Sequence, residues 1–155
     1  MGAEDADFLG HSISPAGLRP NAENVSALVN MPIPTDVKQV RALMGCINYY
    51  RIFLHDLSKR LRPINSLVRN GVKFAFTPAM ESMEIMVLEI LAELATPRIL
   101  VFPNWDVVGD GSRPFHVYCD ACIDGFGAAL EHEQEDGSMK PIAITSRAAL
   151  DSERH

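Results

Sequence analysis

The chain has 155 residues, of which 47% are hydrophobic and 22% are charged, and its formal net charge is −6. This length allows one or two small domains, and no apolar run approaches the roughly 18 residues that a membrane span needs. Glu4, Asp5 and Asp7 stand where a signal peptide would be basic. We therefore expect a cytoplasmic or nuclear protein that is not secreted and has no membrane partner.

The net charge alone argues against a nucleic-acid binder, but the charge is unevenly distributed along the chain. Residues 1–75 hold nine Lys/Arg and six Asp/Glu, whereas residues 76–155 hold five and fourteen. Between Arg51 and Lys73, six basic residues accompany one acid, Asp56. This basic segment could hold phosphates, although the solvated face of a helix is the commoner meaning of such a run.

The first third of the chain predicts a hairpin and two helices. Residues 8–13 are predicted to form a short strand that enters a turn at residues 14–17. Asn21 is a plausible cap for a short helix, which two prolines then end. Thr35 is predicted to cap the strongest helix of the chain, residues 36–53.

Apolar residues of this helix recur every three or four positions, which predicts one buried stripe. Another side of the helix carries Arg41, Gly45, Asn48 and Ile52. A glycine costs a helix about 1 kcal/mol relative to Ala, so a close approach is expected at Gly45, either by another helix or by a ligand backbone. The stripe comprises Val37, Val40, Leu43, Met44, Ile47, Tyr50 and Leu54.

The middle of the chain alternates predicted helices with short strands. A helix is predicted over residues 62–69 and a strand over residues 72–76. A Thr-Pro pair begins a helix over residues 77–95, which carries its own apolar stripe. Residues 99–102 are predicted to form a strand, and residues 104–113 a flexible loop at a domain boundary.

The last third predicts three strands. Asp120 ends the first of them, where Asp is disfavoured, so it either starts the turn or binds a divalent metal. An incomplete sheet would leave residues 142–146 or a neighbouring strand uncovered, so residues 1–96 are expected to fold better than the rest. The predicted order is strand 115–120, turn 121–125, strand 126–130, acidic turn 131–137 and strand 139–146.

Cys119 and Cys122 form a C-x-x-C pair, with His116 before it and His132 after it. Cysteine and histidine are zinc ligands, so a small zinc-binding module is an alternative interpretation. Positions three apart in a strand point to opposite faces, which argues against such a site. The chain has three cysteines in total, too few for a disulfide framework.

Three stretches carry motifs: FLGH at residues 8–11, PTDVKQVRALMGCINYYRIFLHDLSKRLRPINSLVRNG at residues 34–71, and CDACIDGFGAAL at residues 119–130 with KPIAITSRAALDSERH at residues 140–155. They resemble, in turn, the primer grip, the thumb and the start of the ribonuclease H domain of gypsy-type LTR retrotransposon reverse transcriptases. The resemblance implies an α+β fold with a helical thumb followed by an incomplete ribonuclease H-like α/β mixed sheet. The implied domains are the end of the palm over residues 1–19, the thumb over 20–75, the connection over 76–113 and a truncated ribonuclease H-like part over 114–155.

The resemblance implies a fragment of a retrotransposon polyprotein with RNA-directed DNA polymerase and ribonuclease H activity, and with the nucleotidyltransferase, endonuclease and DNA-integration functions of such polyproteins. The thumb would hold a template–primer or RNA–DNA hybrid duplex. The implied partners are this duplex and the remainder of the polyprotein. The implied nucleic-acid-binding residues are Phe8, Leu9, Gly10, Arg41, Gly45, Asn48 and Tyr49.

Asp120 stands where the family has the first of four acidic ligands for two Mg²⁺ ions, so the resemblance implies that it is catalytic and metal-binding. Asp124 also matches a family Asp, but one with the character of a turn residue. The other three acids and a Tyr-x-Asp-Asp polymerase motif are missing from the sequence. We therefore expect this chain alone neither to polymerise nor to cleave. The alternative function is a domesticated, non-catalytic nucleic-acid-binding or scaffold protein derived from a retroelement.

Overall fold

The computed structural model describes residues 5–68, 78–96 and 99–153. It contains two three-stranded antiparallel sheets, and most of the helices lie between them in sequence. No helix in this described part is both long enough and apolar enough to span a membrane. The elements in chain order are β1 (Ala6–Phe8), β2 (His11–Ser14), β3 (Gly17–Pro20), α1 (Ala22–Val29), α2 (Val37–Tyr49), α3 (Leu57–Arg60), α4 (Arg62–Leu67), α5 (Pro78–Ala95), α6 (Trp105–Gly109), β4 (Phe115–Cys122), β5 (Gly125–Glu133) and β6 (Met139–Ala148).

The first sheet differs from the predicted hairpin at its first turn. Residues 8–13 are not one strand, because β1 and β2 meet at a two-residue turn formed by Leu9 and Gly10. Both residues have positive φ, 46° and 73°, as in the hairpin turns that best match the twist of the flanking strands. A leucine is disfavoured at positive φ, so nothing in the local sequence predicts this turn.

Helix α2 is shorter than predicted and begins at a different cap. Its cap is Asp36 rather than Thr35, and the Asp36 side chain accepts a hydrogen bond from the Gln39 amide at 2.8 Å. The Gln39 side chain in turn accepts from the Thr35 amide at 2.9 Å. The helix ends at Tyr49, and a 3-10 turn over Arg51–Phe53 follows it. The predicted stripe is confirmed at Val40, Leu43, Met44, Ile47, Tyr50 and Leu54, which are all buried.

One hydrophobic core joins the helices to the second sheet. Ile47 of α2, Leu54 after the 3-10 turn and Ile90 of α5 are completely buried. The same cluster includes Ala129 of β5 and Ile144 of β6. The second sheet therefore shares its apolar contacts with the helices.

Two predictions in the middle of the chain are wrong. Residues 99–102 form no strand, although Leu100 pairs with Leu18 in a single bridge whose two backbone hydrogen bonds are each 2.8 Å long. Residues 104–113 are not simply a flexible loop, because they contain α6, which Asn104 caps. The predicted strand over residues 72–76 lies outside the described residues.

The strands of the second sheet are longer than predicted, and only Ile123 and Asp124 form the turn between β4 and β5. β5 lies at the centre and pairs antiparallel with both neighbours. β6 packs on α3 and the 3-10 turn, and its Ile144 is buried. β4 is exposed on both faces after its first residue. The uncovered strand is therefore β4, at the opposite edge of the sheet from residues 142–146.

Candidate nucleic-acid interface

Helix α2 carries four of the seven predicted contact residues on one exposed face. Arg41, Gly45, Asn48 and Tyr49 lie at positions i, i+4, i+7 and i+8, which fall on one side of a helix. All four are exposed, and the buried stripe lies on another side. Arg41 Nη2 donates to the Val68 carbonyl at 2.8 Å, which anchors the guanidinium next to the end of α4.

Gly45 faces open space in the described part of the chain. A Cβ built on it would meet no atom within 4 Å. No helix among the described residues therefore packs closely against Gly45, which contradicts the interpretation of a close approach by another helix for this part of the chain. The glycine is also not required by its backbone, because its φ lies outside the left-handed region. A close approach by another molecule is the alternative that stays open.

A groove of about 700 Å³ lies between this helix face and the first sheet. Leu9 and Gly10 of the β1–β2 turn line the groove together with Gly45 and Tyr49 of α2. Four predicted residues from two distant parts of the sequence thus meet at one site. The other three, Phe8, Arg41 and Asn48, are exposed but do not line the groove.

Seven further residues line the groove and were not predicted as contact residues: Asn24, Ala27, Leu28, Met31, Ala42, Cys46 and Tyr50. Asn24 lies on the short helix α1, for which the sequence predicted a cap but no contact residue. Cys46 follows Gly45 directly but faces partly toward the core. Asn24 reaches the groove because α1 lies beside the β1–β2 turn, whereas Cys46 lines it because it follows Gly45 on α2. No local motif indicated either residue.

Side-chain hydrogen bonds hold the β1–β2 turn against α2. The Tyr49 hydroxyl donates to the Leu9 carbonyl, and the Tyr50 hydroxyl donates to the Gly10 carbonyl at 3.1 Å. Burial raises the pKa of Tyr50, so its hydroxyl is protonated and can donate at neutral pH. Tyr49 therefore offers the groove a half-exposed ring, while its hydroxyl is used within the protein.

The basic segment around α3 and α4 makes contacts within the protein. Arg51 Nη2 donates to the Ser146 carbonyl at 3.2 Å, and Arg60 forms an ion pair with Glu93 at 2.5 Å. Arg62 forms an ion pair with Asp124 in the β4–β5 turn. Ion pairs near the surface contribute about 0–1 kcal/mol each. The contacts of Arg51 and Arg62 join the helices to the second sheet, whereas the ion pair of Arg60 joins α3 to α5. The prediction that this segment holds phosphates gains no support from these contacts.

Asp120 lies within β4 rather than at its end, because the strand continues to Cys122. It pairs with Gly127, and Asp56 Oδ1 lies 2.9 Å from the position that a Cβ on Gly127 would take. Directly opposed residues share a face of the sheet, so Asp56 and Asp120 lie on the same side, in a small cleft that Lys59 also lines. Asp56 was not predicted, since it is far from Asp120 in sequence.

The described residues do not assemble a metal centre around Asp120. No group of three or more His, Cys, Asp or Glu side chains comes together in the parts of the chain that the structure describes. Mg²⁺ favours octahedral oxygen ligands, and a two-ion centre needs several carboxylates. Lys59 adds a positive charge to the same cleft. The residues present therefore do not fit the two-ion centre that the resemblance implies.

The four residues of the zinc interpretation also stay apart. Cys122 pairs with Gly125 beside the β4–β5 turn, whereas His132 pairs with Phe115 at the far end of the same two strands. His132 is buried, and its Nε2 lies 3.1 Å from the Arg113 carbonyl. The zinc interpretation is therefore wrong for this arrangement.

Comparison with known proteins shows a family similarity in the second half of the chain. Residues 81–155 match the family model described as the RNase H-like domain found in reverse transcriptase. The match begins within α5, earlier than the predicted boundary at residue 114.

The chain is similar along most of its length to retrovirus-related Pol polyproteins of Drosophila melanogaster transposons. It is 28% identical to the polyprotein of transposon opus over 159 residues, which covers 96% of this chain and 15% of the polyprotein. For transposon 297 the identity is 31% over 150 residues, covering 97% and 13%. For transposon gypsy it is 28% over 163 residues, covering 98% and 14%. The chain thus spans only a small part of these relatives, and the resemblance to gypsy-type polyproteins is confirmed.

Solved reverse transcriptase structures share the fold of this chain. The foamy viral protease-reverse transcriptase in complex with dsDNA matches with a TM-score of 0.75 and 22% identity, covering 98% of this chain and 30% of that chain. Its complex with an RNA/DNA hybrid matches with a TM-score of 0.72 and 22% identity, covering 97% and 19%. The predicted fold class, α+β with a ribonuclease H-like sheet, is confirmed. The three strands of that sheet within the described residues are all antiparallel.

Proposed function

We propose that this chain is a segment of a retroelement polyprotein that holds a nucleic-acid duplex, an RNA–DNA hybrid or a template–primer. The duplex would lie on the face formed by the exposed side of α2 and the β1–β2 turn. The observation that carries the proposal is the single groove lined by Leu9, Gly10, Gly45 and Tyr49. We accordingly interpret residues 1–19, 20–75 and 76–113 as the end of a palm, a thumb and a connection.

The chemistry of this face suits a ligand that is held without sequence readout. Gly45 leaves room for a sugar–phosphate backbone to approach α2 closely. Asn48 can reach the acceptors of a minor groove, which are degenerate among base pairs. Arg41 adds positive charge for phosphates, whose contacts fix position but carry no sequence information. The dsDNA and the RNA/DNA hybrid named in the solved complexes that share this fold support a duplex as the ligand.

Asp120 is proposed as one carboxylate that a longer parent chain would direct toward Mg²⁺. Since the described residues do not complete such a centre, the chain alone is expected to show neither polymerase nor ribonuclease activity. RNA-directed DNA synthesis, hybrid degradation and DNA integration are proposals for the longer parent chain, whose remainder would be the protein partner. The cysteines Cys46, Cys119 and Cys122 are all free, which is consistent with the proposed cytoplasmic or nuclear location.

The test is binding of the intact chain to a fluorescent RNA–DNA hybrid across a salt series. Replacing both Arg41 and Asn48 by Ala should weaken binding and reduce the salt slope by about one, because one phosphate contact is lost. Lys140→Ala on β6 removes the same charge away from the groove and should leave binding unchanged. Thermal melts must show that the double variant still folds, since Arg41 also bonds to Val68. A wild-type chain that binds no hybrid at low salt would refute the proposal.

A second candidate is a non-catalytic nucleic-acid-binding or scaffold protein derived from a retroelement. It is favoured by the incomplete acidic centre around Asp120 in the described part of the chain. It predicts the same duplex binding, so the binding experiment does not separate the two candidates. Sequencing the native transcript does, because a reading frame that continues into the missing acids would favour the parent enzyme.

A further inference from the structure

The β1–β2 turn adopts a conformation that its own sequence does not favour. Leu9 has φ 46° and Gly10 has φ 73°. The left-handed region costs a leucine free energy because its Cβ approaches the backbone. Such a conformation persists only where the surrounding structure holds it. The contacts around Leu9 must therefore stabilise its left-handed conformation.

Aromatic side chains hold this turn through its two carbonyl groups. The Leu9 carbonyl accepts from the Tyr49 hydroxyl and from His11 Nδ1, the latter at 2.9 Å. The Gly10 carbonyl accepts from the Tyr50 hydroxyl at 3.1 Å and from the Asn21 amide at 2.9 Å. A carbonyl oxygen has two lone pairs, so each of these two carbonyl groups accepts its full number of hydrogen bonds.

Ring contacts fix the donors themselves. The His11 ring centroid lies 5.3 Å from that of Tyr49 and 5.8 Å from that of Tyr50, and the two tyrosine rings meet edge to face at 5.1 Å. His11 Nε2 is buried without a hydrogen-bond partner among the described residues. A buried nitrogen without a hydrogen-bond partner costs free energy. The ring contacts of His11 and its Nδ1 hydrogen bond to Leu9 offset this cost.

The turn held in this way presents apolar side chains to solvent. Leu9, which lines the groove, is 69% exposed, and Phe8 directly before it is 63% exposed. The two side chains are consecutive in the chain and together form a small apolar surface next to the groove that a ligand can contact. A rigid apolar tip can pack against the sugar edges of a duplex without reading its sequence.

We infer that Tyr49 is a positioning residue for the β1–β2 turn. It acts on the duplex through Leu9, whose backbone it holds in the left-handed conformation, and not through a hydrogen bond of its own hydroxyl to nucleic acid. Tyr50 and His11 support the same turn from its buried side. This inference rests on the proposed function, since it specifies how the groove residues engage the duplex.

The test is a double-mutant cycle of Tyr49→Phe and Leu9→Ala in the intact chain, with binding of the RNA–DNA hybrid as the readout. Tyr49→Phe should weaken binding about fivefold, the effect of one lost hydrogen bond, with an unchanged salt slope. In the Leu9→Ala background the same change should have an effect of less than about twofold. Equal losses in both backgrounds would overturn the inference, because Tyr49 would then act independently of Leu9.

A second readout separates this inference from the proposed function. Backbone amide NMR signals of Gly10 and His11 should shift in Tyr49→Phe without any duplex, because the turn loses one of its donors. Unchanged signals would overturn the positioning role even if the wild-type chain binds the hybrid. A wild-type chain that binds no hybrid would refute the proposed function, and with it the role of Leu9 at the duplex, whatever the NMR signals show.

Discussion

Replacement of Gly45 by Ala should stabilise the free protein while weakening its binding to a duplex. Gly is about 1 kcal/mol less favourable than Ala inside a helix. The new methyl group would meet no atom within 4 Å, so no clash offsets this gain. We expect the free energy of unfolding to rise by about 1 kcal/mol, which raises the melting temperature by roughly 2–4 °C for a protein of this size.

The opposite effect on binding follows from the position of Gly45 beside the groove. If a duplex backbone packs against the bare Cα, an added methyl group at that contact acts as overpacking, which costs about 1–3 kcal/mol. We therefore expect hybrid binding to weaken by about tenfold or more. Few substitutions improve stability and impair binding together, and this combination would identify Gly45 as a site of close approach.

The assay combines thermal melts with fluorescence anisotropy of a labelled RNA–DNA hybrid. Gly109→Ala is the matched control, because its Cβ would also meet nothing within 4 Å and it lies in α6, remote from the groove in the fold. The control should leave hybrid affinity unchanged. A Gly45→Ala protein that is more stable and binds as well as the wild type would refute the reasoning about the duplex. A Gly45→Ala protein that is less stable than the wild type would contradict the open space found around the Cβ position of Gly45.

Three further predictions concern stability and ionisation. Gly17→Ala should destabilise the protein by about 2–3 kcal/mol, because φ is 132° and the new Cβ would lie 2.2 Å from the Leu100 carbonyl oxygen; an unchanged denaturation midpoint would contradict this. Hydrogen bonds from Arg147 and from the Leu150 amide lower the pKa of Glu153 to about 2, so the small stabilisation from this exposed pair is present above pH 4.5 and is lost as the pH falls toward 2. Carboxyl NMR titration should show this pKa returning toward 4.5 in Arg147→Ala, and no change would exclude the pair as the cause. Amide hydrogens of β4 should exchange faster than those of β5, because β4 is an exposed edge strand; equal protection in a monomer would contradict the described packing.

The sequence predicted best where periodicity was long and the caps were local. The buried stripe of α2 and the Asn21 cap of α1 were read correctly from spacing and residue type. The β1–β2 turn was missed because Leu9 has no local reason for positive φ; the donors that hold it include Tyr49, forty positions away. The bridge at Leu100 was predicted as a strand because a short apolar run cannot reveal how many residues pair.

Part of the groove lining was named from the sequence, but the contacts of its residues were not. The motifs brought Leu9, Gly45 and Tyr49 to attention, and the fold places them around one groove. That Gly45 faces open space, and that the Tyr49 hydroxyl is occupied, are facts of tertiary packing that one sequence cannot supply. The same holds for Asp56, which reaches the Asp120 side of the second sheet only because Gly127 has no side chain.

The salt dependence of binding should be shallow, because three arginines of the described basic segment make contacts within the protein. Arg51, Arg60 and Arg62 contact Ser146, Glu93 and Asp124. The basic residues of α2 are Lys38 and Arg41, which are exposed and lie three positions apart on one side of the helix. Each phosphate contact adds about 0.9 to the slope of log K against log salt for a duplex. We expect a slope of about −1 to −2.

This slope distinguishes binding by shape from binding by charge. The chain as a whole carries a net charge of −6, so a duplex is repelled unless close apolar and minor-groove contacts offset the repulsion. A measured slope of about −5 or steeper would mean that the arginines of the basic segment leave their internal partners to contact phosphates. In that case Arg62→Ala would reduce the slope, whereas on the present geometry it should instead loosen the second sheet and leave the slope unchanged.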